Sequence, residues 1–236
     1  MKQKLAIVLT PFLILILFAC NQRSGKPRVL VFTKTAGYHH SSIPVGVAAI
    51  QKLGSENGFD VDTTSDAAMF TDDTLKKYSA LIFLSTTGPL FNTNQEISLQ
   101  RYIEAGGGFM GIHAATDALY DWGWYNRLVG GVFDSHPEQQ EAKLIINDRD
   151  HISTKHLPAE WTRKDEWYNF KKLNPDVHVL ISIDEKSYKG GNNGDHHPMA
   201  WFHQYDGGRA FYTELGHTEE AYSYSLYLKH ILGGIQ

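Results

Sequence analysis

The stretch Gly106-Gly-Gly-Phe-Met-Gly-Ile-His-Ala-Ala115 decides the fold. Its three glycines make a turn, Phe109 to Ile112 supply a short apolar strand, and His113 stands at a sharp exit between the small residues Gly111 and Ala115. A strand ending in such an elbow before a helix is how an α/β sheet presents a reactive side chain at its carboxyl edge. The usual occupant of that tip is serine or cysteine. Here it is an imidazole.

Upstream the same strand–helix alternation repeats. Arg28-Val-Leu-Val-Phe-Thr33 reads as a buried parallel strand, followed by a Gly-Tyr-His-His-Ser-Ser loop and an amphipathic helix over about 43–57, with Pro44 in its first turn and Gly58 after it. Phe59–Thr63 is a second strand, a short helix runs from a Thr71 cap to Tyr78, Ala80–Leu84 is a third strand, and a helix spans 94–104 before the Phe109–Ile112 strand. Alternation of this kind implies parallel crossovers, and a sheet covered by helices on both faces. Downstream the pattern loosens. Strands are expected at 143–146, 178–183, 199–203 and 209–213, with Asp206-Gly-Gly as a hairpin turn between the last two, and a closing helix over 219–232. The tract 147–176 reads as loop-rich, with no strand assigned to it. The expected fold is therefore α/β and flavodoxin-like, a mostly parallel sheet with helices on both faces and an antiparallel extension.

The N-terminus reads as targeting rather than fold. Lys2 and Lys4 precede an apolar run to Phe18, then Ala19 and Cys20, the only cysteine. A charged start, a short apolar core and a small-residue cleavage point describe a secretory signal over 1–19. Leu17-Phe18-Ala19-Cys20 is similar to a bacterial lipobox, which makes Cys20 the expected lipidation site, 20–27 a tether and 28–236 the folded domain. The expected location is the bacterial cell envelope, periplasmic or outer surface, with the membrane reached through the lipid anchor. Without residues 1–19 the chain carries 20 basic against 26 acidic side chains, a net charge of −6. That excess of acid argues against nucleic acid as a partner. With Cys20 an anchor, the domain has no thiol for a disulfide, a thiolate metal site or nucleophilic catalysis.

Four segments follow strands and should meet at one sheet edge, where such folds bind ligands. They are Gly37-Tyr-His-His40, Ser85-Thr-Thr-Gly-Pro89, Ile112-His-Ala-Ala-Thr-Asp117 and Leu215-Gly-His-Thr-Glu219.

Taken in order, Thr35-Ala-Gly-Tyr-His-His40, Gly106–Asp117, Ser135-His-Pro137, Asp165-Glu-Trp-Tyr168 and His197-Pro-Met-Ala-Trp201 give the chain a resemblance to the trehalose-utilisation ThuA-like family, a branch of the class I glutamine amidotransferase-like fold. The resemblance covers about 28–235. It implies a carbohydrate as the small-molecule partner, in particular disaccharides or glycosides and their 3-keto forms. Against the wider amidotransferase pattern, His113 stands where the cysteine nucleophile belongs, which excludes glutamine hydrolysis through a thioester. Ser85–Pro89 is similar to the oxyanion loop of that class, and His217-Thr218-Glu219 to its histidine–glutamate dyad.

Histidine titrates near neutral pH and suits proton transfer beside a carbonyl. His113 is the expected acid/base, with His217 or Glu166 as its partner. His39, His136, His197, Asp117 and Trp167 are the expected substrate-binding residues. Asp165 and Glu166 lie between aromatics, as carboxylates in sugar sites do. Most tryptophans, and His151, His156, His178, His203 and His230, have an ordinary structural role as the simpler reading. No local metal-binding spacing such as His-Glu-x-x-His is present, so a zinc-like divalent ion would need ligands assembled by folding, with His113, His136 and His197 as candidates. Three readings follow: an exported sugar enzyme using acid–base chemistry, a non-catalytic carbohydrate-binding lipoprotein, and a metal-dependent hydrolase. Oligomeric state is not legible.

Overall fold

Nine strands form one sheet in a computed structural model that describes residues 25–236. The expected signal segment and Cys20 lie outside the described residues. In chain order the elements are β1 (Arg28–Phe32), α1 (Ile43–Asn57), β2 (Asp60–Thr64), α2 (Asp72–Leu75), β3 (Ala80–Leu84), α3 (Thr93–Glu104), β4 (Gly108–Ile112), α4 (Gly123–Val129), β5 (Gly131–Ser135), β6 (Gln140–Ile146), β7 (Glu160–Asp165), β8 (Asn169–Leu173), β9 (His178–Ile183), β10 (Pro198–Tyr205), β11 (Gly208–Thr213) and α5 (Ser225–Ile235). Among the described residues, no helix is long and apolar enough to cross a membrane.

The sheet order is β2-β1-β3-β4-β11-β10-β9-β6-β7. The first five strands are parallel, the flavodoxin-like order, and the rest alternate antiparallel from β11 outward. β1, β3 and β4 are apolar along almost their whole length and buried, as strands covered on both faces must be. Phe32, Phe70, Phe83 and Phe91 pack ring on ring beside them. Helix α3 starts at a capping box in which Asn92 and Gln95 bond each other's backbone N–H, one residue earlier than the sequence pattern places it.

Three expectations are corrected. The tract 147–176 holds β7 and β8, not loop alone. The helix expected to reach Tyr78 ends at Leu75. The closing helix is split at Tyr224 into a single 3-10 turn and α5.

β7 lies four places from β11, about 19 Å in a flat sheet at 4.8 Å per strand. Yet the Asp165 carboxylate at the end of β7 accepts a hydrogen bond from the Gly216 N–H, just past β11, at 3.1 Å. The antiparallel half therefore curls back over the carboxyl edge of the parallel half. Strands β5 and β8 pair as a separate antiparallel ribbon beside it.

Candidate active site

The carboxyl ends of β1, β4, β7 and β11 deliver one cluster: His40, His113, Glu166 and His217. His113 follows β4 directly and takes a left-handed φ of 52°, a strained conformation for a residue with a side chain. Two contacts hold it there. The Tyr212 hydroxyl donates to its main-chain oxygen at 2.7 Å, and its ring packs 4.5 Å from that of Tyr168. Gly111 leaves room for the elbow, since a Cβ there would lie 3.0 Å from both Ala115 and Tyr212. The sequence-predicted elbow is thus present, with an imidazole at its tip.

The His113 ring is fully buried, and its Nδ1 donates to the Glu214 main-chain oxygen at 2.8 Å. A carbonyl only accepts, so Nδ1 carries the hydrogen and a neutral ring leaves Nε2 bare. That Nε2 lies 3.1 Å from His217 Nδ1 and 3.5 Å from Glu166 Oε2, while His217 Nδ1 lies 3.0 Å from the same Oε2. His40 stands edge-on to both other rings, with centroids 4.8 Å from His113 and 5.1 Å from His217. Its Nδ1 is buried without a hydrogen-bond partner.

Electrostatics follow the geometry. Burial, then the neighbouring His113 and His217, push His40 down to about 2, so its ring stays neutral. Burial raises the Glu166 carboxyl, but hydrogen bonds and charge from His113 and His217 outweigh that and hold it well below the usual range. Glu214 is fully buried, and burial, with the Asp165 charge second, pushes it well up, so it stays protonated while accepting from the Tyr168 N–H at 3.1 Å.

Asp165 organises the backbone behind the cluster. Its carboxylate accepts from Glu166 N–H at 3.1 Å, Gly216 N–H at 3.1 Å, His217 N–H at 3.2 Å and Arg163 Nη2 at 2.8 Å. Gly216 has φ 116°, and a Cβ there would sit 2.3 Å from the Tyr227 hydroxyl. Only glycine lets the chain turn and point His217 into the cluster.

Two groups open the cluster to solvent. The His217 side chain keeps 14% of its surface exposed, and His136 keeps 42%. His136 follows β5, with Nδ1 at 3.2 Å from Glu166 Oε1 and 3.0 Å from the Pro137 oxygen. Asp117 stands half-buried at the end of the elbow, accepting a short hydrogen bond from the Tyr120 hydroxyl, and burial raises its carboxyl.

Other sequence-predicted residues lie elsewhere. Of the two adjacent histidines, His40 enters the cluster; His39 is exposed, its Nδ1 3.0 Å from the Thr35 hydroxyl. Trp167 is fully buried with Nε1 donating to the Gln140 oxygen, which leaves no face for a sugar and corrects its expected role. His197 is buried behind Tyr168: its Nε2 meets the Tyr168 oxygen at 2.8 Å and its Nδ1 meets Glu185 at 2.6 Å, so both nitrogens are engaged away from the cluster. As a metal candidate it is replaced by His40, and His136 reaches the cluster only through Glu166. Glu219 is exposed, and the carboxylate at His217 is Glu166 instead. In the Ser85–Pro89 loop, the Ser85 and Gly88 N–H groups bond the Ile112 and Asp117 oxygens, so they tie the loop to the elbow rather than facing a ligand. A cavity of about 660 Å³ lies at the opposite sheet edge, lined by Val29, Ile82, Met110, Ile152 and Phe211, remote from this cluster.

The family profile described as "Trehalose utilisation", ThuA, matches residues 28–236. Among solved structures, the chain is similar to a ThuA-like protein from Bacteroides uniformis ATCC 8492 (TM-score 0.75, 22% identity, 92% of this chain and 94% of that one). A ThuA-like protein from Parabacteroides merdae ATCC 43184 is close behind (TM-score 0.74, 21% identity, 89% and 88%). A beta-galactosidase from Bacillus circulans sp. alkalophilus shares the fold over 89% of this chain but 31% of its own, at TM-score 0.56 and 12% identity. At these identities the likeness is one of fold. No protein of curated function matches the sequence.

Proposed function

The chain belongs to the trehalose-utilisation ThuA family, and from that membership we propose that it is a sugar-processing enzyme working by histidine–carboxylate proton transfer at the cluster on its carboxyl edge. The observation that carries this reading is the pair His136–Glu166. A half-exposed imidazole, oriented through Nδ1 by a buried carboxylate 3.2 Å away, has the form of a general acid–base with its orienting partner. Its Nε2 edge is the one left for a ligand.

The substrates this fits are disaccharides or glycosides carrying a ketone at carbon 3. The proton on carbon 2 is acidified by that carbonyl. His136 would take it, the electron pair would form the carbon 1–carbon 2 double bond, and the glycosidic oxygen would leave from carbon 1. Asp117, whose carboxyl burial raises, would return a proton to that oxygen. His113, fully buried, serves as an orienting group for His217 rather than as the acid/base first expected. His39 and the exposed Tyr38 stand at the rim near His40 and would meet the second sugar. In the same reading the enzyme is exported and held at the cell envelope through Cys20.

A proton NMR time course on 3-keto trehalose and on trehalose tests this. The parent should convert the keto sugar, and His136→Ala, confirmed folded by circular dichroism, should lose about 10²–10⁴-fold in rate. Equal rates would remove His136 from the chemistry. Line broadening of a sugar without turnover would turn the reading to a binding protein.

A further inference from the structure

We propose that His40, His113, His217 and Glu166 form a binding site for one first-row divalent transition-metal ion. One donor atom from each of the four lies within 4.8 Å of the others. Three of them are tighter still. His113 Nε2, His217 Nδ1 and Glu166 Oε2 form a triangle with edges of 3.0, 3.1 and 3.5 Å. Ligands held at roughly 2.0–2.2 Å from a shared ion stand about 3.0–3.5 Å apart, whether the geometry is octahedral or tetrahedral. The triangle already has the dimensions of one face of a coordination shell.

Protonation alone explains this arrangement poorly. With Nδ1 donating to the Glu214 oxygen, a neutral His113 ring has a bare Nε2, and a single hydrogen on His217 Nδ1 must then serve both Nε2 and Oε2. His40 meanwhile has a buried Nδ1 with no hydrogen-bond partner, an unsatisfied polar atom of the kind folded interiors avoid. A cation in the centre would take one ligand atom from each of the four residues at once. One carboxylate and three neutral imidazoles suit zinc, iron, cobalt or nickel and disfavour calcium and magnesium, which prefer oxygen.

The outer shell is that of a metal centre as well. A metal-bound histidine ordinarily donates its second N–H to a carbonyl or carboxylate, as His113 does to the Glu214 oxygen. The carboxylate ligand is itself bonded, through Oε1, to His136. Asp165 fixes the backbone of both Glu166 and His217. With solvent reaching the cluster through His217 and His136, the ion would keep an open position for a substrate oxygen and polarise it.

The site stands or falls apart from the sugar reading. The full-length protein, purified without chelator, would be analysed for metal by inductively coupled plasma mass spectrometry. It would then be stripped and titrated calorimetrically with Zn²⁺ and Co²⁺. Expected are about one ion bound per chain, and Co²⁺ absorption bands in the visible that report nitrogen ligation. His217→Ala and His40→Ala should each weaken Zn²⁺ binding by about 10²-fold or more, while His39→Ala leaves it unchanged. Folding of each variant would be followed by circular dichroism, with Glu166→Gln as the isosteric substitution. No binding by the folded parent, or equal binding by parent and the folded His217 and Glu166 variants, would overturn the site. Metal bound without sugar turnover would leave the site standing and remove the proposed reaction; sugar turnover by a folded parent that binds no metal would do the reverse.

Discussion

Asp165 accepts four hydrogen bonds, one from a guanidinium and three from the main chain around Glu166 and His217. Substituting Asp165→Asn removes the charge that faces buried Arg163 and halves the acceptor capacity. Breaking a buried ion pair by removing one partner costs about 3–5 kcal/mol. Chemical denaturation should show a loss of that size, with Asp134→Asn on the exposed end of β5 showing almost none; equal effects would mean that Asp165 is not the organiser. At this scale the sequence was partly legible. His113 declared itself by the small residues around it, because an elbow needs them. The choice between His39 and His40 did not, because adjacent residues in an extended loop point opposite ways and nothing local says which way is in. It is decided by α1, whose first turn, through Ile43 N–H on the His40 oxygen and Ser42 Oγ on the Gly216 oxygen, draws His40 inward.

Strand β7 shows why the second half was harder to read. Its sequence, Glu-Trp-Thr-Arg-Lys-Asp, alternates exposed and buried with period two, but two of its three inward residues are Arg163 and Asp165. An alternation carried by charge does not register as a strand when the signal sought is apolar. The apolar β1, β3 and β4 had no such ambiguity. Helix α5 carries a related hidden group. His230 is fully buried, with Nδ1 donating to the Ser153 oxygen at 2.9 Å, and burial lowers its pKa to about 3. The unfolded chain therefore binds this proton first. Its contribution is complete above about pH 6.5 and is lost as pH falls toward 3, at about 1.4 kcal/mol per pH unit. Urea denaturation between pH 8 and 5 should show a decline in stability that is about 2 kcal/mol smaller in His230→Asn. Parallel curves for the two proteins would assign the acid sensitivity elsewhere.

Across the whole molecule, the parallel and antiparallel halves share β11 and meet again where β7 closes over the carboxyl edge. That second junction should make unfolding a single step. Of the five tryptophans, Trp161, Trp167 and Trp201 sit in the antiparallel half, whereas α1 and α3 flank the parallel one. Fluorescence and far-ultraviolet circular dichroism should therefore give coincident urea transitions, and separated midpoints would show that the halves open independently. The same junction has a further consequence. The donors of the cluster come from positions 40, 113, 166 and 217, spread over most of the polypeptide. A chain still emerging from synthesis carries its first two histidines long before the carboxylate and the last imidazole arrive. The cluster cannot assemble on the nascent chain, and it is complete only once the last parallel strand is in place.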